Sequence, residues 1–215
     1  GIPTLLLDIA PSELTPDEAA KGLTLESSAV RNRIVSQLFE ASKKLKPAPF
    51  MLAKNAGLIS IGNFADDISK LKDCDLVIEA VVENLEIKHK LFAEVEKNRK
   101  PGAVIASNTS GIPIKSIAEP FSDDFKKHFV GVHFFNPPRY MKLVEVIPTE
   151  WTDGEMACKL SGFLDRRLGK GVVPAKDRPN FIANRVGTFG MMATVHEMIA
   201  MGFTPTEIDQ VTGKA

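Results

Sequence analysis

Three segments of the chain place hydroxyl and acid–base groups in or beside apolar stretches. Ser107-Asn108-Thr109-Ser110 follows one stretch, His133 lies in a second, and Glu145 lies within a third, Leu143–Ile147. A carboxylate with apolar neighbours on both sides is costly to bury unless something pairs with it. A histidine on a neighbouring strand is the natural partner, and an imidazole oriented by a carboxylate is a common general base. We therefore predict that His133 and Glu145 lie within hydrogen-bond reach, the alternative being a core histidine and a strand glutamate that faces water.

The elements that must position these groups alternate between apolar strands and helices. Strands are predicted at residues 4–8, 58–61, 75–82, 103–106, 129–135, 143–147 and 170–175, helices at 27–45, 66–71, 87–100 and 153–168, and a loop at 9–25. This alternation predicts an α/β fold with a Rossmann-like, doubly wound and mostly parallel sheet.

The pattern changes near residues 177–179, where we place a domain boundary. Residues 1–178 form the predicted Rossmann-like domain, and residues 179–215 form the beginning of an all-helical domain. Residues 181–201 are typical of one long apolar helix, and Thr204-Pro205-Thr206-Glu207 is a capping box that starts another. Because the chain stops at Ala215, soon after that helix begins, we expect the helical part to be incomplete.

Composition and charge exclude several classes of function. The 27 basic and 27 acidic residues give a formal net charge of zero, so no global field favours nucleic acid as a partner. No apolar run reaches the roughly 18 residues of a membrane span, so no membrane insertion is expected. Cys74 and Cys158 lie far apart without a Cys-x-x-Cys spacing. This argues against a disulfide framework or a metal site, and it fits a reducing cytoplasm.

Five ordered motifs make the sequence similar to a known family. They are Asp75-Leu76-Val77-Ile78-Glu79-Ala80-Val81-Val82-Glu83-Asn84, Ser107-Asn108-Thr109-Ser110, His133-Phe134-Phe135-Asn136-Pro137, Leu143-Val144-Glu145-Val146-Ile147 and Pro179-Asn180-Phe181-Ile182-Ala183-Asn184-Arg185. In these motifs the chain resembles the 3-hydroxyacyl-CoA dehydrogenases of fatty-acid oxidation, especially the long forms fused to an enoyl-CoA hydratase, from about Ile2 to Ala215. The resemblance implies an oxidoreductase that transfers a hydride between NAD and C3 of a 3-hydroxyacyl-CoA in β-oxidation.

The resemblance also implies a role for each polar residue of the predicted catalytic and substrate sites. His133 would take the proton of the substrate's 3-hydroxyl, and Glu145 would orient the imidazole and stabilise its cation. Ser110 would hydrogen-bond the reacting oxygen, and Asn184 would polarise and position the substrate at the domain junction. Asn136 would contact the substrate or coenzyme A. From the residues alone, Asn184 could also be a helix-terminus amide and Asn136 a turn residue.

Further residues are assigned to the NAD site by the same resemblance. Asp8, at the end of an apolar strand, would accept hydrogen bonds from the ribose hydroxyls and repel a 2′-phosphate, which favours NAD over NADP. Glu83 and Lys88 match positions on the nicotinamide side, and Asn108 and Ser110 would contact the cofactor. Taken alone, Asp8 could be a solvated acid, and Glu83 and Lys88 could be surface charges at the start of a helix.

An acyl-CoA substrate also needs a site for its phosphates. A basic stretch could supply one, or could form a solvated helix face: Arg31, Arg33, Lys43, Lys44, Lys46 and Lys54. As partners we expect the acyl-CoA substrate and either a second copy of the chain or the other domains of a larger multifunctional chain.

Two other functions compete with the dehydrogenase. The scaffold could belong to a non-catalytic structural or acyl-CoA-binding protein, but such a role places no demand on the quartet of Ser110, His133, Glu145 and Asn184. A dehydrogenase of smaller 3-hydroxy acids usually relies on a lysine base, and the His–Glu pair argues against it.

The sequence contains no Gly-x-Gly-x-x-Gly turn, the segment whose amides hold the pyrophosphate of a dinucleotide. Compared with the family, the chain begins after the first strand, this turn and the first helix. The strands at 4–8 and 75–82 would then lose their shared neighbour. Either the segment exists elsewhere, or another segment takes its place, or the sheet is remodelled. We expect the 215-residue chain by itself to bind NAD poorly and to show little dehydrogenase activity.

Overall fold

The computed structural model describes residues 1–213, which form two sheets flanked by helices. The first sheet is a parallel pair of β1 (Thr4–Asp8) and β2 (Ile59–Asn63). The second has five strands in sequence order: β3 (Leu76–Glu79), β4 (Val104–Ser107), β5 (Phe129–Phe134), β6 (Leu143–Ile147) and β7 (Gly171–Pro174). Neighbouring strands within this sheet run parallel, except for β5 and β6, which are antiparallel. The predicted α/β, Rossmann-like and mostly parallel fold is confirmed.

The division into two sheets corrects the expectation of a single sheet. β1 pairs with β2, β3 pairs with β4, and within residues 1–213 no strand joins β1 to β3. The segment 75–82 forms a shorter strand than predicted, because β3 ends at Glu79 and the backbone N–H of Val81 turns back to the Glu79 side chain. Of the three possibilities raised by the sequence, the second is wrong, because no segment within residues 1–213 takes the place between β1 and β3.

Ten helices connect and follow the strands within the described residues. They are α1 (Pro16–Ala20), α2 (Ser28–Arg31), α3 (Arg33–Ser42), α4 (Phe64–Asp67), α5 (Leu85–Asn98), α6 (Ile114–Ala118), α7 (Asp123–His128), α8 (Gly154–Leu168), α9 (Ala183–Met201) and α10 (Pro205–Thr212), with 3₁₀ segments at Ala53–Leu58 and Ile68–Asp73. The predicted capping box before α10 is confirmed.

The prediction of a loop over residues 9–25 is wrong at residues 16–20 and confirmed for the rest of the range. Thr15 and Glu18 form a capping box, and Pro16 opens the short helix α1. The threonine and proline that suggested a loop are the residues that a helix N-terminus prefers. The helix predicted over 27–45 is likewise divided at Asn32 into α2 and α3.

Two apolar clusters fix the central strands of the larger sheet. One contains four phenylalanines whose ring centroids lie 4.5–6.3 Å apart: Phe92, Phe121, Phe125 and Phe129. The other packs valines of β5 and β6 against Met156, Leu160 and Leu164 of α8. Full burial of each such side chain contributes roughly 1.5–3 kcal/mol. The strands that carry the candidate site are therefore packed on both faces by buried apolar side chains.

The helical segment after β7 has a different character. No residue of α9 is buried, and large apolar side chains along it are exposed, including Phe189 at 76% and Ile199 at 71%. Within the described part of the chain, no helix combines the length and the apolar character that a membrane crossing needs.

Candidate active site

The imidazole of His133 and the carboxylate of Glu145 form a buried pair. The two residues are direct partners in the antiparallel ladder of β5 and β6, and His133 Nδ1 lies 2.8 Å from Glu145 Oε2. Only 5% of His133 and 1% of Glu145 is exposed. The predicted hydrogen bond is confirmed, and the alternative of a glutamate facing water is wrong. With Glu145 ionised, Nδ1 carries the hydrogen that is donated, so Nε2 keeps a free lone pair.

The second oxygen of Glu145 holds the start of the helical segment. Glu145 Oε1 accepts hydrogen bonds from the backbone N–H groups of Ile182, at 2.9 Å, and Ala183, at 2.8 Å. The first amides of a helix have no partners within the helix, and the helix dipole favours a negative charge there. The same carboxylate thus orients His133 and anchors the N-terminus of α9.

Two aromatic rings pack against the His133 imidazole. The centroids of Phe135 and Phe181 lie 4.5 Å and 5.6 Å from that of His133. Asn180 and Phe181 have φ angles of 63° and 49°, in the left-handed region. Asparagine tolerates this conformation, whereas in other residues with a Cβ it costs roughly 1–2 kcal/mol. Phe181 is only 3% exposed, so its burial offsets the strain and keeps its ring beside His133.

Ser110 lies on a loop that is organised by Glu83. Glu83 Oε1 accepts hydrogen bonds from the Thr109 hydroxyl and from the backbone N–H groups of Ser110, Gly111 and Ile112, the last three at 3.0, 3.0 and 3.3 Å. Burial raises the pKa of Glu83, but the hydrogen bonds from Thr109 and from the three amides outweigh it and hold the pKa below its usual value. Glu83 therefore shapes the loop as an anion.

Lys88 is buried beneath this loop, so the alternative that it is a surface charge is wrong. Its side chain is 1% exposed, and Nζ lies 2.7 Å from Glu79 Oε1 and 3.4 Å from Glu83 Oε2. Glu79 Oε2 in turn accepts a 2.6 Å hydrogen bond from the Ser107 hydroxyl. Sequence reasoning missed Glu79 as a site residue, although a glutamate after Leu-Val-Ile carries the same signal that pointed to Glu145.

The three predicted asparagines occupy different positions. Asn108 is partly buried, and its Oδ1 accepts a 3.0 Å hydrogen bond from the Phe134 N–H, which ties the end of β4 to the residue after His133. Asn184 lies partly buried in the first turn of α9, and Asn136 is exposed after β5. The side chains of Asn136, Asn184 and Ser110 form no hydrogen bond with any residue that the structure describes. The alternative of Asn184 as a helix cap therefore finds no support.

The loop that contains Asn136 is held from both sides. Lys170, which is 8% exposed, donates to the carbonyls of Pro138 and Met141, the latter at 2.8 Å. Burial lowers the pKa of this ammonium. On the other side, the Arg139 guanidinium donates to the carbonyls of Ala48 and Phe50 at 2.6 and 2.9 Å.

These segments meet at one end of the larger sheet. A Cβ built on Gly111 would lie 3.9 Å from Asn180 Oδ1, so the Ser110 loop approaches the turn that precedes α9. Asp177 adds a second link, because its carboxylate accepts from the N–H groups of Ile114 and Lys115 at 2.9 and 2.8 Å. His133 and Glu145 are in direct contact, whereas Ser110 and Asn184 lie on neighbouring segments without a direct hydrogen bond to either.

Asp8 lies apart from this group, at the carboxyl end of β1 in the two-stranded sheet. It is partly exposed, and its Oδ1 accepts a 2.7 Å hydrogen bond from the Ile9 N–H. No lysine or arginine within residues 1–213 pairs with it, so the carboxylate remains able to accept hydrogen bonds from a ligand. The position and chemistry of Asp8 fit the recognition of a ribose.

Half of the predicted basic stretch is already paired with acids. Arg31 forms two 2.6 Å hydrogen bonds to Asp66, which contribute to holding the Asp66 pKa at about 2. Arg33 pairs with Glu18, and Lys43 pairs with Glu40. These pairs favour the alternative of a charged helix face at those three positions.

Comparison with known proteins identifies the domain. Residues 6–178 match the family described as "3-hydroxyacyl-CoA dehydrogenase, NAD binding domain". The chain belongs to the 3-hydroxyacyl-CoA dehydrogenase family. NAD is accordingly the cofactor of this dehydrogenase domain. Asp8 and the polar loop ends after β3 and β4 fit it, whereas the sequence contains no glycine turn for its pyrophosphate.

Related dehydrogenases support the assignment. The chain is 54% identical over 213 residues to the "probable 3-hydroxyacyl-CoA dehydrogenase" of Bacillus subtilis, covering 99% of the chain and 27% of that protein. It is 42% identical over 180 residues to a Rickettsia felis protein named as a trifunctional enzyme of the fatty acid oxidation complex, covering 84% of the chain and 25% of that protein. The chain thus spans about a quarter of the length of these two relatives.

A solved structure shares the fold of the dehydrogenase domain. The crystal structure of FadB2 from Mycobacterium tuberculosis superposes with a TM-score of 0.66 at 35% identity, covering 83% of this chain and 61% of that one. The resemblance stated from the sequence motifs, including that to the longer fused forms, is confirmed by these relatives.

Proposed function

We propose that the protein containing this chain is an NAD-dependent 3-hydroxyacyl-CoA dehydrogenase of fatty-acid β-oxidation. The buried His133–Glu145 pair is the observation that carries the proposal. Its Nδ1–Oε2 distance of 2.8 Å leaves Nε2 free to accept a proton, and Glu145 is held in place by two helix amides. A structural or acyl-CoA-binding protein has no need of an oriented base.

The oxidation removes a proton and a hydride from the same carbinol. His133 Nε2 takes the proton of the 3-hydroxyl, and the charge of Glu145 stabilises the resulting imidazolium. NAD, when bound, supplies the acceptor for the hydride that leaves C3. In the reverse direction the imidazolium of His133 returns the proton to the oxygen of a 3-ketoacyl-CoA.

The remaining predicted residues position the reactants. Ser110 and Asn184 donate hydrogen bonds to the reacting oxygen, and Asn136 contacts the acyl-CoA. The free hydrogen-bonding capacity of these three side chains within the described residues supports this assignment. On the cofactor side, Asp8 binds the adenosine ribose. Asn108 and Ser110 contact the cofactor, and Glu83 and Lys88 line the nicotinamide side.

The same proposal covers the molecular context. The name of the Rickettsia felis relative, a trifunctional enzyme of the fatty acid oxidation complex, supports a place in a larger multifunctional protein, with residues 179–215 opening a helical domain. The exposed apolar side chains of α9 support contact with further protein, including a second copy of the chain. The free thiols of Cys74 and Cys158 fit the cytoplasm.

His133→Gln in the full-length protein tests this function. We expect turnover of acetoacetyl-CoA with NADH to fall by roughly two to four powers of ten, the usual contribution of a positioned base. His128→Gln is the matched control, because His128 precedes β5 at the opposite end of the strand from His133. Unchanged turnover in the His133 variant would remove this residue from the role of base.

A further inference from the structure

The carboxylate of Glu79 is the centre of a buried polar network that no predicted role accounts for. Its side chain and that of Lys88 are each 1% exposed. Glu79 Oε1 accepts from Lys88 Nζ at 2.7 Å and from the Val81 N–H at 2.6 Å, and Oε2 accepts from the Ser107 hydroxyl at 2.6 Å. The carboxylate thus binds groups from the loop after β3, from α5 and from the end of β4.

Two routes lead from Glu79 to the loop that contains Ser110. Along the first, the Ser107 Oγ bound to Glu79 also accepts from the Thr109 N–H at 3.4 Å. Along the second, Lys88 bridges Glu79 to Glu83 at 3.4 Å, and Glu83 accepts from the amides of residues 110–112. Both routes reach the loop from the protein interior, and the Glu79 side chain itself is shielded from any ligand.

A buried ion pair is an expensive way to stabilise a fold. The desolvation of two charges offsets most of their attraction, and apolar residues of similar volume often give equal or greater stability. What the pair adds is a fixed geometry, because each oxygen of Glu79 requires its donors in specified directions. Loss of one partner would leave the Lys88 ammonium buried with a weaker partner, Glu83, at 3.4 Å.

We propose that Glu79 is a positioning residue for the reaction, acting through Ser107, Lys88 and Glu83 on the Ser110 loop. This inference rests on the proposed dehydrogenase function. Glu79 fixes the directions of the Ser110 and Gly111 amides and hence the place of the Ser110 hydroxyl relative to His133. The loop then presents the same geometry to substrate and cofactor in each turnover.

The test is Glu79→Gln in the full-length protein, with two readouts. The first is the set of amide resonances of residues 110–112 in a ¹H–¹⁵N spectrum, which we expect to shift. The second is kcat for acetoacetyl-CoA at saturating substrate and NADH, which we expect to fall by about tenfold to 100-fold, the order of loss that small misplacements cause. The folded fraction is checked by circular dichroism at the assay temperature.

Two controls separate positioning from stability. Glu94→Gln removes a carboxylate from α5, the helix that also carries Lys88, but from an exposed pair with Lys97, and should leave both readouts unchanged. Leu160→Ala removes core packing beneath β5 and β6 and should lower the melting temperature without lowering kcat at a temperature where the protein stays folded. If Glu79→Gln does not fold, Ser107→Ala removes only the hydroxyl route and should shift the Thr109 and Ser110 amides.

The results of these experiments separate a failure of the Glu79 proposal from a failure of the proposed function. Unshifted amides in a folded Glu79→Gln protein would overturn the proposal, as would shifted amides with an unchanged kcat. A parent protein without dehydrogenase activity would refute the proposed function instead. The amide resonances would then still decide whether Glu79 holds the loop.

Discussion

Glu145 illustrates how one side chain can serve two elements. Its two oxygens have different partners, the imidazole of His133 and the amides that open α9. The carboxylate favours the Nδ1–H form of the ring, which leaves Nε2 with a free lone pair. Any displacement of α9 relative to the sheet would therefore change the orientation of the His133 ring.

At the same scale, we expect Asp8 to set the preference for NAD over NADP. Asp8→Ala should reduce the ratio of kcat/KM for NAD to that for NADP in the full-length protein, because the carboxylate no longer repels a 2′-phosphate. The matched control is Asp17→Ala on the neighbouring helix α1, which should leave the ratio unchanged. A wild-type protein that uses NADP as well as NAD would contradict the assignment of Asp8.

The site residues differ in how far the sequence could predict them. Glu145 was found because its apolar neighbours and the nearby histidine lie on consecutive strands, where pairing is the default. Glu79 carries the same local signal, but its partner Lys88 lies on α5. The lysine looks like an ordinary helix charge until the packing of α5 against β3 is known. Register between consecutive strands can be inferred from sequence, whereas helix rotation against a sheet cannot.

At the scale of structural elements, the stability that Glu83 gives to the Ser110 loop should depend on pH. Because the folded-state pKa of Glu83 lies below its usual value, this carboxyl group stabilises the folded protein above the unfolded-state pKa. That contribution is lost as the pH falls through the folded-state pKa. Glu83→Gln should therefore lose less stability than the wild type as the pH falls from about 5 into the acidic range.

Thermal unfolding followed by circular dichroism between about pH 3 and pH 7 measures this difference. Glu94→Gln, which removes an exposed carboxylate of α5, should follow the wild type. If the melting temperatures of the wild type and of Glu83→Gln fell equally with pH, the loop hydrogen bonds would not depend on the charge of Glu83.

Helix prediction succeeded or failed for identifiable reasons. The predicted limits of α8, at 153–168, match Gly154–Leu168 closely, because its apolar spacing is regular and Gly169 ends it in a left-handed conformation. The short helices α6 and α7 were missed, since five or six residues contain too few apolar positions to show a period. The boundary at 177–179 remains a prediction.

For the whole molecule, the exposed apolar surface of the helical segment has a direct consequence. Phe189, Met191, Ile199 and Met201 of α9 are each more than 60% exposed. Exposed apolar side chains in this number favour association in water. We expect the 23.5 kDa chain to sediment as more than a monomer at micromolar concentration.

Phe189→Lys should shift that equilibrium towards the monomer in sedimentation velocity experiments. Thr188→Lys adds the same charge at the neighbouring exposed position and serves as the control. Equal behaviour of the two variants would show that net charge, and not the apolar surface, governs association.

The interrupted sheet implies that the 215-residue chain by itself opens in two steps. None of the five residues of β1 is fully buried, and its ladder is shared with β2 alone, whereas five of the six residues of β5 are buried between two paired neighbours. The free energy needed to open such a unit increases with its burial and with the number of strands to which it is paired. Amide protons of β1 and β2 should therefore exchange with deuterium through a partial opening that leaves β4, β5 and β6 protected. The larger sheet, with His133 and Glu145, would then persist as a folded unit while the strand that carries Asp8 is open to solvent.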